Sequence, residues 1–299
     1  MYSPISFRVN STPLGIFWAL KEACCWHLRR NAVKAFFVSI PHSGEMIPKE
    51  AGWLLNLPEV LKMYDVDRFV DILYTPAIEK LKLKSVIADI HRYVIDLNRL
   101  SEDVDASSVI GHTNPAGKFS RGLHWVITTA GEKLMPAPIS KKLHDELVVK
   151  YFNPFHSEIQ SAYQSFQKLG AKKIYHLDLH SMPSVGTSEH KDPGERRADI
   201  VVSDCIGKSC SAFLKDLVVN SYQDAGFKVA YNWPYVGGRI TEAYGSPSTG
   251  NEAIQVELNR ALYMDESSKK LFQEKLTGVQ SRLEKALSLV QQSLPEIGS

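Results

Sequence analysis

The sequence predicts an α/β fold. Short apolar runs rich in Val and Ile, at 35–40, 85–90, 174–179 and 199–202, suit strands covered on both faces. They alternate with longer stretches of helical period at 58–83, 141–169, 208–225 and 267–292. Polar loops with Gly and Pro separate the two kinds of segment. The chain of 299 residues is long enough for two domains or one large α/β domain with a sizeable core.

Composition narrows the function classes. The 44% hydrophobic and 23% charged content are those of an ordinary globular protein. A formal charge of +2 gives no reason to invoke nucleic acid or an acidic membrane surface as partner. The four cysteines, Cys24, Cys25, Cys205 and Cys210, form no C-x-x-C pair and no regular framework, which predicts reduced thiols in a cytoplasmic protein.

In chain order, residues 14–30 read as a short amphipathic helix ending in Arg29-Arg30, too short and too interrupted for a membrane span. A signal peptide is not expected, because only Arg8 supplies positive charge before the apolar stretch. Residues 35–40 form a strand that Pro41 stops by lacking an N–H. The helical pattern at 58–83 has Asp65 and Asp67 ahead of Phe69, and Pro76 kinks or breaks it. After the 85–90 strand, residues 91–99 alternate charge with apolar side chains, which suits either a solvated edge strand or an anion-binding strand carrying Arg92 and Arg99.

Residues 101–137 are rich in Gly, Ser, Pro and Thr and predict a long binding loop or lid. His112 and His124 are expected at its rim. The stripe Leu143, Leu147, Tyr151, Phe155, Ile159, Tyr163 and Phe166 predicts a helical stretch that Pro154 kinks or breaks into two helices, and His156 beside it reads as a core histidine. Gly207-Lys208-Ser209 is no phosphate loop, since Val202 stands where the first glycine must be. A strand at 227–232 leads to Pro234–Arg239, a flexible loop able to approach a ligand. In the strand at 253–260, alternation puts Gln255, Glu257 and Asn259 on one face, where a buried Glu is costly without a task or a partner.

The chemistry concentrates at two strand ends. His42 and Glu45 follow Pro41 in H-x-x-E spacing, with Gly44 between them to let the backbone turn. His180 closes the strand 174–181, sharing a face with Asp178 and His176. Ligand crevices of open α/β sheets lie at the carboxyl ends of strands. Together His42, Glu45 and His180 make a His₂Glu set that suits Zn²⁺ and leaves a position for water.

Four segments carry a resemblance: Val38-Ser39-Ile40-Pro41-His42-Ser43-Gly44, Val94-Ile95-Asp96-Leu97-Asn98-Arg99, Asp178-Leu179-His180-Ser181 and Ile254-Gln255-Val256-Glu257-Leu258-Asn259-Arg260. In type and order they resemble the N-formylglutamate amidohydrolase family over residues 36–265, a family similar to zinc carboxypeptidases and aspartoacylases. The resemblance implies a single three-layer α/β/α domain around a mixed sheet, zinc-carboxypeptidase-like (phosphorylase/hydrolase-like). Residues 1–35 would then be an N-terminal extension of that domain and 36–299 its amidohydrolase body.

The resemblance further implies one zinc ion on His42, Glu45 and His180, with other divalent metals as alternatives. It implies Glu257 as general base, Arg92 at the oxyanion, and Asn98 and Arg99 facing the substrate. Arg239 joins the substrate-binding candidates on a weaker match at Gly238-Arg239. The expected partner is a small anionic N-acyl amino acid, N-formyl-L-glutamate above all, hydrolysed to formate and glutamate in histidine catabolism. A zinc carboxypeptidase or another N-acyl-amino-acid amidohydrolase could use the same groups. A non-enzymatic binder of an anionic metabolite is the reading from another class, and three protein ligands beside a free Glu favour an enzyme over a closed structural zinc site.

Overall fold

The computed structural model describes residues 8–9 and 33–298. In chain order the strands are β1 (Arg8–Val9), β2 (Phe36–Ile40), β3 (Lys84–Ile87), β4 (Ile174–Met182), β5 (Ile200–Ser203), β6 (Val229–Tyr231), β7 (Asn251–Asn259), β8 (Met264–Asp265) and β9 (Lys270–Leu271). The helices are α1 (Glu59–Lys62), α2 (Val70–Leu81), α3 (Lys141–Leu147), α4 (Asn153–Lys168), α5 (Ala212–Asp224), α6 (Arg239–Tyr244) and α7 (Gln273–Ser293). The helix expected at 14–30, with Cys24 and Cys25, lies outside the described residues. Cys205 and Cys210 are both free thiols.

Seven strands form one sheet in the order β1-β3-β2-β4-β7-β5-β6. Strands β3, β2, β4 and β7 run parallel, while β1 and the β5-β6 pair run against them, so the sheet is mixed. Because side chains alternate along a strand, each strand feeds two cores. Phe36, Val38 and Ile40 of β2 and Tyr175, Leu177 and Leu179 of β4 pack with Leu73 of α2, Leu214 of α5 and Leu283 of α7. Phe37 faces the other way, into Phe155, Ile159 and Phe166 of α4 and the buried Tyr93, Val94 and Leu97 of the loops after β3. Helices thus cover both faces. No helix among the described residues is long and apolar enough to cross a membrane.

Several elements differ from the sequence expectation. The helical stretch at 58–83 is two helices, α1 and α2, and Phe69 at their junction adopts φ +71°. Pro76 does not break α2. It leaves the carbonyl of Ile72 without its usual helical donor, and the Gln280 amide of α7 donates to that oxygen at 3.0 Å. The kink expected near Pro154 takes the form of a π turn at Val148–Phe152 joining α3 to α4. Residues 91–99 are turns, not an edge strand. Their backbone bonds run to a turn and a loop, Val94 N to His91 O and Asp96 N to Leu123 O, and no ladder forms. The stretch 264–271, partly expected as helix, forms the β8-β9 pair, and α7 starts only at Gln273.

Candidate active site

The carboxyl ends of β2, β4 and β7 open into one cavity of about 290 Å³, lined by His42, Asp67, Arg92, Asn98, Arg99, His180, Glu257 and Arg260 among others. That volume is at the small end of ligand pockets (roughly 300–1,000 Å³), which suits a small metabolite. Further lining comes from Trp125 and Thr129 of the long loop, from Pro183 and His190 of the loop after β4, and from Tyr235, Gly237 and Gly238.

His42, Asp67 and His180 form a buried group whose ligand atoms all lie within 4.8 Å of one another. Asp67 Oδ2 is 3.0 Å from His180 Nδ1 and 3.6 Å from His42 Nδ1. Each imidazole turns its other nitrogen to a buried carboxylate: His42 Nε2–H donates to Asp96 Oδ1 at 2.7 Å, and His180 Nε2–H to Asp178 Oδ2 at 2.8 Å. With Nε2–H held by a carboxylate behind each ring, Nδ1 of both imidazoles faces inward and would be the ligand atom once a cation takes the place of its proton, the arrangement typical of metal-binding histidines. Two neutral imidazoles and one carboxylate are also the donor types of an open catalytic zinc centre. The residues therefore fit a divalent cation.

Electrostatics agree with this assignment. Burial pushes the Asp67 carboxyl up, but the hydrogen bond from His180, the nearby His42 imidazole and the charges of His180 and Arg260 hold it well below the usual carboxylate range. Burial likewise opposes charge on His180, yet the Asp178 charge and the bonds to Asp178 and Asp67 raise its pKa well above the usual imidazole value. A positive group, whether a proton or a bound cation, is stabilised between His180 and Asp67. The other side of Asp67 is secured by Arg260 Nη2, at 3.0 Å from Oδ1, and by the Ser181 hydroxyl at 3.1 Å.

Asp67, not Glu45, is the carboxylate that the structure brings to the two histidines. Glu45 is exposed and pairs with Arg68, Nε to Oε1 at 2.7 Å. The physical reason is the course of the chain after His42. Instead of curling, it runs alongside residues 89–91, with Met46 N donating to Asp89 O and His91 N to Met46 O, both at 2.9 Å. Gly44 passes so close that a Cβ there would sit 2.3 Å from the Asp89 carbonyl carbon. In extended chain, residues three apart face opposite sides, so His42 points in and Glu45 out. Asp67 is delivered by the junction between α1 and α2, where its N–H donates to His42 O at 3.0 Å.

Glu257 lies on β7 beside His180 of β4 and is 6% exposed. Burial raises its pKa to about 7. The Gln255 amide donates to Glu257 Oε1 at 2.7 Å and orients the carboxylate. Arg92 stacks over Trp125 at 4.6 Å and donates to Asp65 O and Asp96 Oδ2, while its buried Nε has no protein partner. Among the described residues, Arg99 donates to the carbonyls of Arg121 and Asn98 and to no carboxylate. The Asn98 side chain accepts from Ile240 N at 2.7 Å.

Arg239 does not line this cavity. It pairs with Glu242 at 2.8 Å and borders a neighbouring cavity. His124, expected at a loop rim, is wholly buried between Val94 O and His144, and His156, read as a core histidine, is half-buried and bonded to Tyr244 and Leu97 O.

A profile of the N-formylglutamate amidohydrolase family matches residues 34–264. N-formylglutamate deformylase of Pseudomonas aeruginosa is 28% identical over 235 residues, covering 77% of this chain and 82% of that protein. The Pseudomonas putida enzyme of the same name is 28% identical over 242 residues, covering 80% and 85%. Among solved structures, N-formylglutamate amidohydrolase from Ralstonia eutropha superposes with a TM-score of 0.75 at 25% identity, over 88% of this chain and 95% of that one. The fold, the ordered motifs and these relatives agree: the chain belongs to the N-formylglutamate amidohydrolase family.

Proposed function

We propose that this protein hydrolyses the amide bond of N-formyl-L-glutamate to formate and L-glutamate, with one zinc ion held by His42, Asp67 and His180. The observation that carries the reading is the convergence, in one small cavity, of that donor set, a buried carboxylate poised near neutrality and an arginine, Arg99, that among the described residues donates to carbonyls alone. Bound there, the ion would supply Lewis-acid polarisation of the formyl carbonyl and acidification of water.

The residues of the chain do the rest. Glu257 takes the proton of the attacking water and passes it to the amide nitrogen as the C–N bond breaks. Gln255 holds one oxygen of Glu257, which leaves the other for the proton. Arg92, stacked on Trp125 and anchored by Asp96, meets the negative charge that grows on the carbonyl oxygen. Arg99 grips a substrate carboxylate, with Asn98 completing the wall beside it. The test is release of formate from N-formyl-L-glutamate, compared with N-acetyl-glutamate, N-formyl-methionine and a carboxypeptidase substrate, before and after chelation and zinc repletion. Preferred, zinc-restored turnover of the first substrate is expected. Preference for a C-terminal peptide bond would overturn the reading.

A further inference from the structure

The two candidate ligand histidines are backed by carboxylates held in different ways. Asp96, behind His42, is saturated directly: Asn98 N donates to Oδ1, and Arg92 Nη2 and Trp125 Nε1 each donate to Oδ2 at 3.0 Å. Asp178, behind His180, receives no arginine among the described residues. Its remaining oxygen accepts from the Ser39 hydroxyl at 2.6 Å, and Ser39 lies 2.7 Å from His176 Nε2. His176 Nδ1 in turn meets the Tyr163 hydroxyl at 3.2 Å. Ser39, His176 and Asp178 are wholly buried, and Tyr163 is 4% exposed.

Proton counting gives this chain a single direction. Serine has one proton, and it goes to Asp178, whose ionised carboxylate can only accept. His176 Nε2 must therefore carry a proton and donate it to Ser39. Burial depresses the His176 pKa to about 4, so the ring is neutral and Nδ1 is an acceptor for Tyr163 O–H. Every donor points toward Asp178, an arrangement in which successive bonds polarise and strengthen one another. His176 and Asp178 share a face of β4, two residues apart. Ser39, opposite Asp178 on β2, bridges the two.

We propose that Ser39, His176 and Tyr163 are positioning residues for His180: their one-way hydrogen-bond relay fixes the Asp178 carboxylate, which sets the tautomer and aim of His180. The proposal rests on the reading of His180 as a cation ligand. Through the relay, helix α4, which carries Tyr163, is tied to the reactive centre.

The test measures zinc dissociation constants by chelator competition on the purified full chain, alongside urea unfolding of the metal-free protein. His176→Phe keeps the ring that stacks on Phe37 at 4.1 Å but removes the donor. It should weaken zinc binding about tenfold, the lower end for partners behind a ligand. His176→Gln restores an N–H donor at the same reach and should bind within about twofold of the natural chain. Tyr163→Phe deletes one hydroxyl and should weaken binding roughly threefold, as one net hydrogen bond requires. Should His176→Phe fail to fold, Tyr163→Phe and Ser39→Ala decide.

A purely structural role would lower the urea midpoint and leave zinc affinity untouched, which would overturn the relay. His180→Ala separates the two layers of the argument. If His180→Ala binds zinc as the natural chain does, the ligand reading fails and the relay with it. If His180→Ala loses zinc while His176→Phe and Tyr163→Phe retain full affinity, the relay alone is refuted.

Discussion

Asparagine at position 67 preserves the size of the third donor and removes its charge. Asp67 Oδ2 lies 3.0 and 3.6 Å from the two facing imidazole nitrogens, so a cation bound between them is in direct contact with this carboxylate. Unit charges 4 Å apart at an effective dielectric near 20 interact by about 4 kcal/mol. At about 1.4 kcal/mol per decade, Asp67→Asn should weaken zinc binding by at least roughly 10³-fold. It also leaves the buried Arg260 without its anion, a loss of about 3–5 kcal/mol in stability, so folding must be followed by circular dichroism alongside the titration. The control is Glu45→Gln. The Glu45 and Arg68 side chains are 38% and 17% exposed, and such a pair contributes at most about 1 kcal/mol. That variant should keep zinc affinity and turnover within about twofold. Chelator-competition titration of both proteins decides, and loss of zinc from Glu45→Gln with retention in Asp67→Asn would refute the assignment.

Glu257→Gln should keep its contact with Gln255 and its zinc while kcat falls about 10²-fold or more, because an amide cannot take the proton. The natural enzyme should lose activity as pH falls below about 7 and Glu257 is protonated, with a bound cation moving that limb lower still. Arg92→Ala should lower kcat and kcat/KM together, whereas Arg99→Ala should chiefly raise KM; equal kcat losses with unchanged KM would reverse the roles. His91, His124, His156 and His176 are held near pKa 4 by burial, against about 6.5 in the unfolded chain. The unfolded state therefore binds protons first as pH drops, and each histidine should cost about 2 kcal/mol by pH 5, read as a falling urea midpoint. Gly44→Ala drives a methyl into the Asp89 carbonyl and should destabilise by about 1–3 kcal/mol, measured in the same way.

The sheet was legible because its strands are apolar on both faces and its helices carry clear stripes. The candidate site was legible where chemistry coincided with the end of a strand, as at His42 and His180. Asp67 was hidden because periodicity reads straight through 58–83, whereas the chain breaks there and Phe69 takes a left-handed conformation no bulky side chain favours. Glu45 stood out by spacing, but the chain after His42 runs beside residues 89–91 and turns the Glu45 carboxylate to Arg68. Residues 91–99 alternate like a strand, yet their polar side chains are gathered by Asp96 and its partners in a set of turns. Asp96 itself gave no local sign of lying behind His42, because that contact spans 54 residues.

His42 and Asp67 belong to one local unit, stitched by a backbone bond between them, whereas the contact joining Asp67 to His180 spans 113 residues. A chain emerging from synthesis would offer two donors long before the third. Two donors hold a cation weakly and select poorly among metals, so loading of the proposed site would wait until β4 has paired with β2. Metal capture would then report that the sheet has closed, and the ion would act as a late lock on the finished fold rather than a seed for it.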